Sequence, residues 1–178
     1  THVINAQQNL SVLSASYPPS PWDAQGASCF VPEHSGWVET NAANVHFYRD
    51  GIYPRGWRFT MGYFAAYQPT ENGEGFYCAL HDPDGSFRTM NIETDPTTST
   101  GLFFMRAHAP GRGRDANAFS LPGRLVWEAF RGDWYDATLI YRDFVRNKAE
   151  WLAPGGPGGG ADTPRRGEGR AGRGMVMR

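Results

Sequence analysis

The feature that most restricts the fold of this chain is one amphipathic segment, which follows a long run of strand-like sequence. Gly132 interrupts the last strand-like stretch, Asp133 stands where a helix N-cap is expected, and Asp136 lies beside the positive end of the helix. The following residues recur at helical spacing and form one stripe: Trp134, Ala137, Ile140, Tyr141, Phe144, Lys148 and Trp151. We predict an amphipathic helix over residues 133–152. Its aromatic stripe has to pack on another element, and residues 1–132 supply only a sheet.

The sequence before the helix is predicted to consist of strands and turns. The chain has 178 residues, enough for one domain with a core, and 14% of them are aromatic, which favours β structure. The clearest strand lies within residues 56–69. It places alternate residues on one face: Trp57, Phe59, Met61, Tyr63 and Ala65. The predicted fold is therefore mainly β, a sandwich over residues 1–132 with one C-terminal helix.

The clearest predicted hairpin follows that strand. Phe76, Cys78 and Leu80 lead into a turn at residues 81–85, where Pro83 presets φ and Gly85 takes the left-handed position. The alternating residues that return from the turn are Phe87, Thr89 and Asn91. The stretch PTENGEG, in which Asn72-Gly73 is flanked by two glutamates, is a second turn signal.

Residues 153–178 differ in composition from the rest of the chain. From Pro154 onward there are nine glycines and five arginines but no aromatic residue, so we predict a disordered tail. One interpretation is an Arg/Gly-rich arm that binds nucleic acid. The absence of interleaved aromatics favours a linker or a read-through end instead. The net charge of −1 also gives no field that would attract nucleic acid or an anionic membrane, and no apolar run is long enough to span a bilayer.

Four stretches, in this order, resemble one bacterial protein group. They are WRFTMGYFAAY, GFYCALHDPDGSFRTMNIE, GRLVWEAFRGDW and WYDATLIYRDFVRNKAEW. Over residues 50–152 the chain resembles the large glycoside-hydrolase-like proteins of the DUF6259 group. It is similar, more distantly, to the endo-α-N-acetylgalactosaminidase group. GDWYDATLIYR is the most specific piece and LHDPDG the next.

In those families a β-supersandwich of galactose-mutarotase type precedes a (β/α)8 catalytic barrel. The resemblance therefore implies a non-catalytic sandwich domain of a carbohydrate-active enzyme, truncated before its barrel. It also implies a glycan and the barrel as partners, and an extracellular or periplasmic location. No catalytic residue can be transferred, because the barrel would follow Leu152. The helix residues expected to clamp the two domains together are Trp134, Tyr141, Phe144 and Trp151. A chain that begins at Thr1 fits a processed product or a piece of a longer protein.

Aromatic residues in the first third of the chain are the best candidates for sugar binding. Aromatic faces cover the apolar face of a sugar ring while polar neighbours bind its hydroxyls. The candidates are Trp22, Trp37, Tyr53 and Trp57. The alternative is that Trp57 belongs to the core and the other three cover the end of the sheet. A freestanding carbohydrate-binding module is the second functional hypothesis, and a nucleic-acid-binding protein that uses the tail is the third.

The sequence predicts no catalytic pair, metal site or cofactor. Glycoside hydrolysis requires two carboxylates about 5–10 Å apart. The candidate carboxylates are Glu71, Glu74, Asp82, Asp84, Glu93 and Asp95, of which the first four fit turns and the last two could face a groove. No histidine has zinc-ligand spacing to another histidine or a cysteine. Cys29 and Cys78 allow one disulfide without establishing it.

Overall fold

The computed structural model describes residues 2–3, 9–43, 47–54, 58–111 and 114–152. The strands are β1 (His2–Val3), β2 (Ser14–Ser16), β3 (Ser20–Asp23), β4 (Ser28–Val31), β5 (Trp37–Glu39), β6 (Phe47–Tyr53), β7 (Tyr63–Tyr67), β8 (Glu74–His81), β9 (Arg88–Asp95), β10 (Thr100–His108), β11 (Phe119–Ser120) and β12 (Arg124–Arg131). They are followed by helix α1 (Trp134–Lys148) and a 3₁₀ turn (Glu150–Leu152). Over these ranges the chain is mainly β with a single α-helix, as the sequence predicted.

Two antiparallel sheets of five strands each form the body. In the first sheet the order is β2–β10–β9–β6, and β3 pairs with β10 beside β2. In the second sheet the order is β12–β8–β7–β4–β5. The short strands β1 and β11 pair with each other.

The main hydrophobic core lies between the two sheets, because alternate residues of each strand point inward. Met90, Ile92 and Phe103 contribute from the first sheet, and Phe64 and Leu80 from the second. The rings of Phe64 and Phe103 stack across the interface with centroids 4.9 Å apart. This packing makes the body a β-sandwich.

Helix α1 forms a third layer on the outer face of the second sheet. Asp133 caps it by accepting a hydrogen bond from the Tyr135 amide, and the Asp136 carboxylate accepts one from the Asp133 amide, which completes a capping box. Ala137 and Tyr141 are buried against the second sheet. The predicted cap and docking are confirmed, although the α-helix ends at Lys148 and the rest of the predicted span is the 3₁₀ turn. The predicted disordered tail lies outside the described residues.

The strand predicted within residues 56–69 begins later than expected, at Tyr63. Tyr63 and Ala65 face the helix, whereas Phe59 makes an isolated bridge with Glu33 and packs in the core between the sheets. Met61 packs on the same side as Tyr63 and Ala65, so the predicted face is right for these three residues. It is wrong for Phe59, because the chain bends between Phe59 and the start of the strand. Trp57 lies outside the described residues.

The predicted hairpin over residues 74–95 is also wrong. The strand β8 belongs to the second sheet and β9 to the first, so the intervening turn carries the chain across the sandwich. Gly85 does adopt the predicted left-handed backbone, with φ +63°. Along β9 the buried face carries Met90 and Ile92, opposite to Thr89 and Asn91. The stretch PTENGEG makes the real hairpin, between β7 and β8.

Candidate functional site

The aromatic residues predicted to bind sugar do not form one surface. Trp22 is only 7% exposed, and its indole lies over Gly101 and stacks on Phe103 with centroids 5.3 Å apart. Trp37 is half-buried on β5, where the Arg49 guanidinium lies 5.2 Å from its ring centroid. Trp22 and Trp37 therefore sit in separate environments.

Tyr53 is part of a buried polar cluster rather than a sugar platform. It is 3% exposed, and its ring lies 4.3 Å from the Arg88 guanidinium carbon. Arg88 Nη1 is 3.5 Å from Asp82 Oδ2, and both residues are buried. The hydroxyls of Tyr53 and Tyr141 lie 3.1 Å apart and tie this cluster to the helix. The prediction of Tyr53 as a sugar contact is corrected by this burial, because its ring is closed off from solvent.

A cleft of about 600 Å³ opens at one end of the sandwich, and we call it the end cleft. Its walls come from the ends of β3, β7 and β12 and the start of β8. Small side chains, including Ala27, Ala66 and Ala129, leave the space open between the sheets. The aromatic part of the wall is contributed by Trp22 and Phe76.

The rim of the end cleft is charged and polar. Asp23, Gln68, Glu74 and Arg131 line it, and all four are exposed. Glu74 and Arg131 are directly opposite each other in the β8–β12 ladder, so the rim presents acceptors and a donor side by side. Trp22 is the one sequence-predicted sugar residue found here. Phe76 and Arg131 were missed because their approach depends on strand pairing between distant segments.

The six carboxylates considered for catalysis are dispersed. Asp82 accepts hydrogen bonds from the Asp84 and Ser86 amides, so it organises the turn between the sheets. Asp95 accepts one from the Thr97 amide, and this bond lowers the pKa of the Asp95 carboxyl. Glu71 and Asp84 stand in turns, and the remaining two lie apart: Glu74 lines the end cleft and Glu93 lines a groove on the first sheet.

His81 is held against the helix. Its ring stacks on Phe144 with centroids 4.1 Å apart, and Nε2 is 2.9 Å from the Tyr77 hydroxyl. Burial, and secondarily the positive charge of Arg88, lower the His81 pKa to about 4, so the ring is neutral at pH 7. Among the described residues, no group of three or more His, Cys, Asp or Glu is arranged to hold a metal ion.

Cys29 and Cys78 are free thiols in the core between the sheets. Burial raises the pKa of the Cys29 thiol well above its usual range and that of Cys78 to about 11. Cys78 Sγ lies 3.3 Å from the Ser20 hydroxyl. Protonated, enclosed thiols of this kind are core residues rather than nucleophiles.

All four helix residues predicted to clamp a neighbouring domain contact this domain. Tyr141 and Phe144 pack on the second sheet, and Trp151 packs over Gly85. Trp134 is 42% exposed and stacks on Phe30 with centroids 5.9 Å apart, and the neighbouring Tyr135 is 53% exposed.

Comparison of the chain with family models, curated proteins and solved structures finds no match. The resemblance to glycoside-hydrolase-like proteins therefore stays a prediction. No helix in the described part of the chain is long and apolar enough to cross a membrane. The proposed nucleic-acid arm falls in residues 153–178, outside the described residues.

Proposed function

We propose that this chain is a non-catalytic β-sandwich domain of a carbohydrate-active enzyme and that it binds glycan in the end cleft. The observation that carries the proposal is the lining of this cleft, where the half-buried Phe76 ring and the small exposed part of Trp22 stand beside Asp23, Glu74 and Arg131. Aromatic carbon covers the apolar face of a sugar ring, carboxylates accept hydrogen bonds from its hydroxyls, and a guanidinium donates to its oxygens. The cleft volume of about 600 Å³ is within the range of ~300–1,000 Å³ that is usual for small-ligand sites.

The dispersion of the acidic residues supports a binding role rather than hydrolysis. Hydrolysis of a glycosidic bond needs two carboxyl groups facing one bond. Of the six candidate carboxylates, Glu74 and Glu93 line different openings. Asp23 shares the end cleft with Glu74, but its Oδ1 accepts a hydrogen bond from the Gln25 amide and so takes part in a local turn. The catalytic step is therefore assigned to a separate domain, the (β/α)8 barrel that the sequence resemblance implies.

The exposed end of α1 supports attachment of such a domain. Trp134 and Tyr135 expose aromatic surface where the helix begins, although the rest of its stripe is covered by the second sheet. The two rings meet edge to face with centroids 6.0 Å apart, so they form one contiguous aromatic patch of the kind that a neighbouring domain can cover. A freestanding carbohydrate-binding module would use the end cleft in the same way but would leave these two rings in solvent.

Filling the end cleft tests the proposal. Ala129 is exposed, lines the cleft and has a small side chain, so Ala129→Phe is expected to block the cleft without disturbing the core. Glu128→Phe is the matched control, because consecutive residues of β12 point to opposite faces. Calorimetric titration against a panel of neutral and acidic oligosaccharides should show at least one glycan whose affinity falls about tenfold or more in Ala129→Phe alone. Equal affinity of the two variants, or no glycan binding by the unmodified protein, would contradict the proposal.

A further inference from the structure

We propose a second glycan site, on the outer face of the first sheet, that takes a neutral sugar ring. It is independent of the end cleft and uses none of its residues. The outer face carries a groove of about 290 Å³, here called the outer groove. The residues of the outer groove that matter to the argument are Asp50, Thr89, Asn91, Glu93, Phe104 and Arg106.

Strand register places these side chains in rows across the sheet. Phe104 is directly opposite Asn91, and Asn91 is directly opposite Asp50 on the other side. Residues that are opposite one another in antiparallel strands project to the same face about 5 Å apart. The ring, the amide and the carboxylate therefore form one row, at spacings that suit a single sugar.

The neighbouring rows complete the lining. Arg106 is opposite Thr89 and also opposite Ser16, whose hydroxyl accepts a hydrogen bond of 3.4 Å from Arg106 Nε. On the other side of the central row, Glu93 is opposite Leu102. The groove thus has the Phe104 ring at one end of its central row, and polar groups along the rest of that row and in the rows on both sides.

The burial pattern shows that this face is not simply a solvated surface. Along β9 and β10 the inward residues are buried and most of the outward ones are half-buried, including Phe104 and Asn91. The outer face of the second sheet is covered by α1, whereas the first sheet has a groove at the corresponding position. Phe104 can therefore offer its ring to a ligand without a change in the fold.

The polar groups select the class of ligand. Within the part of the chain that the structure describes, no side-chain hydrogen bond or ion pair engages Asp50, Asn91 or Glu93. Their oxygens are therefore available to accept hydrogen bonds from hydroxyl groups. Two carboxylates against the single guanidinium of Arg106 disfavour a uronate or a phosphate. An uncharged pyranose satisfies the acceptors and covers the Phe104 ring with its C–H face.

The test compares Phe104 on β10 with Phe87, which directly precedes β9. Phe104→Ala removes the ring from the outer groove. Phe87→Ala is the matched control, because Phe87 is 51% exposed and lies against His108 without lining the groove. Neutral xylo-, manno- and gluco-oligosaccharides, with uronate oligomers of equal length, are titrated while backbone amide resonances are followed. We expect the resonances of β9 and β10 to shift with a neutral glycan. The dissociation constant should rise about tenfold in Phe104→Ala and be unchanged in Phe87→Ala.

Combining Phe104→Ala with Ala129→Phe distinguishes binding at the outer groove from binding at the end cleft. If both proposals hold, each single variant weakens one binding event about tenfold and leaves the other unchanged, and the double variant weakens both. Loss of all binding in Ala129→Phe alone would overturn the outer site and leave the end cleft. Loss of all binding in Phe104→Ala alone would overturn the end cleft and leave the outer site. Equal binding by Phe104→Ala and Phe87→Ala, stronger binding of uronates, or no binding of any neutral glycan would also overturn the outer site.

Discussion

At the scale of single residues, close packing decides which positions tolerate change. Gly101 on β10 is directly opposite Trp22 on β3, and the indole lies on its backbone. A Cβ atom at Gly101 would overlap that indole, whereas at Gly51 the nearest atoms, of Phe59, would be 3.1 Å away. The large aromatic residue is therefore buried only because its cross-strand neighbour has no side chain.

We expect Gly101→Ala to lower the free energy of unfolding by about 1–3 kcal/mol, the usual cost of overpacking a core. Gly51→Ala should cost less, since the Phe59 ring needs to move by only a few tenths of an ångström. Urea denaturation followed by tryptophan fluorescence measures both variants. A smaller loss for Gly101→Ala than for Gly51→Ala would show that Trp22 can leave its position easily.

His81 makes stability depend on pH. Its folded-state pKa of about 4 lies below the ordinary value of 6.5, because burial and Arg88 oppose the charged form. Between these two values the unfolded chain binds more protons, so this contribution to stability is complete above about pH 6.5 and is lost as the pH falls towards 4. Because the His81 ring is partly exposed, we reduce the expected contribution to the free energy of unfolding to about 1–2 kcal/mol. Thermal unfolding from pH 4 to 7 should show a smaller pH dependence for His81→Gln than for the unmodified protein.

At the scale of elements, α1 is specified locally and docked by the sheet. The capping box fixes where the helix begins. Its Ala137 and Tyr141 pack against Tyr63 and Tyr77 on the outer face of the second sheet. The ring centroids of Tyr63 and Tyr141 are 5.0 Å apart. Gly132, with φ +116°, permits the sharp change from β12 into the helix.

Removal of the cap tests how much the capping hydrogen bond stabilises α1. Asp133→Ala is expected to cost about 1 kcal/mol of stability, because the Tyr135 amide loses its acceptor. Asp133→Asn keeps an acceptor and should cost clearly less. Chemical denaturation of both variants gives the comparison. Equal losses would indicate that the negative charge, rather than the hydrogen bond, stabilises this end of the helix.

At the scale of the whole molecule, the sandwich and the helix enclose the second sheet on both faces. Every residue of β7 is buried, which is unusual for a strand of an antiparallel sheet and follows from its central place between core and helix. Cys29 on β4 and Cys78 on β8 both point into the core between the sheets. Reagents reach them only when the two sheets separate.

The two thiols should therefore report global opening. We expect both to react with an aromatic disulfide reagent at the same slow rate in native buffer, and rapidly in denaturant. The native rate should increase in Gly101→Ala in proportion to its loss of stability. Fast reaction of one cysteine alone would show that its strand opens locally, and a reagent-free disulfide would contradict the free thiols.

The sequence determined what depends on near neighbours along the chain. Residues 133–136 contain the whole helix cap, Gly85 and Asn72-Gly73 mark turns that the structure contains, and alternation indicates the strands. Whether the chain belongs with glycoside-hydrolase-like proteins stays a prediction. The tertiary structure alone decided that β8 and β9 belong to different sheets, because a turn sequence is compatible with a hairpin or with a crossing. In the crossing that forms, Asp82 and Arg88 are buried together beside the turn. Tertiary structure also formed both clefts. Trp22 of the first sheet and Phe76 of the second line the end cleft together only because the two sheets pack face to face. In the outer groove Phe104 and Asn91 face each other within one hairpin, but Asp50 joins them only through the pairing of β6 with β9, a contact between segments far apart in the sequence that no local segment specifies.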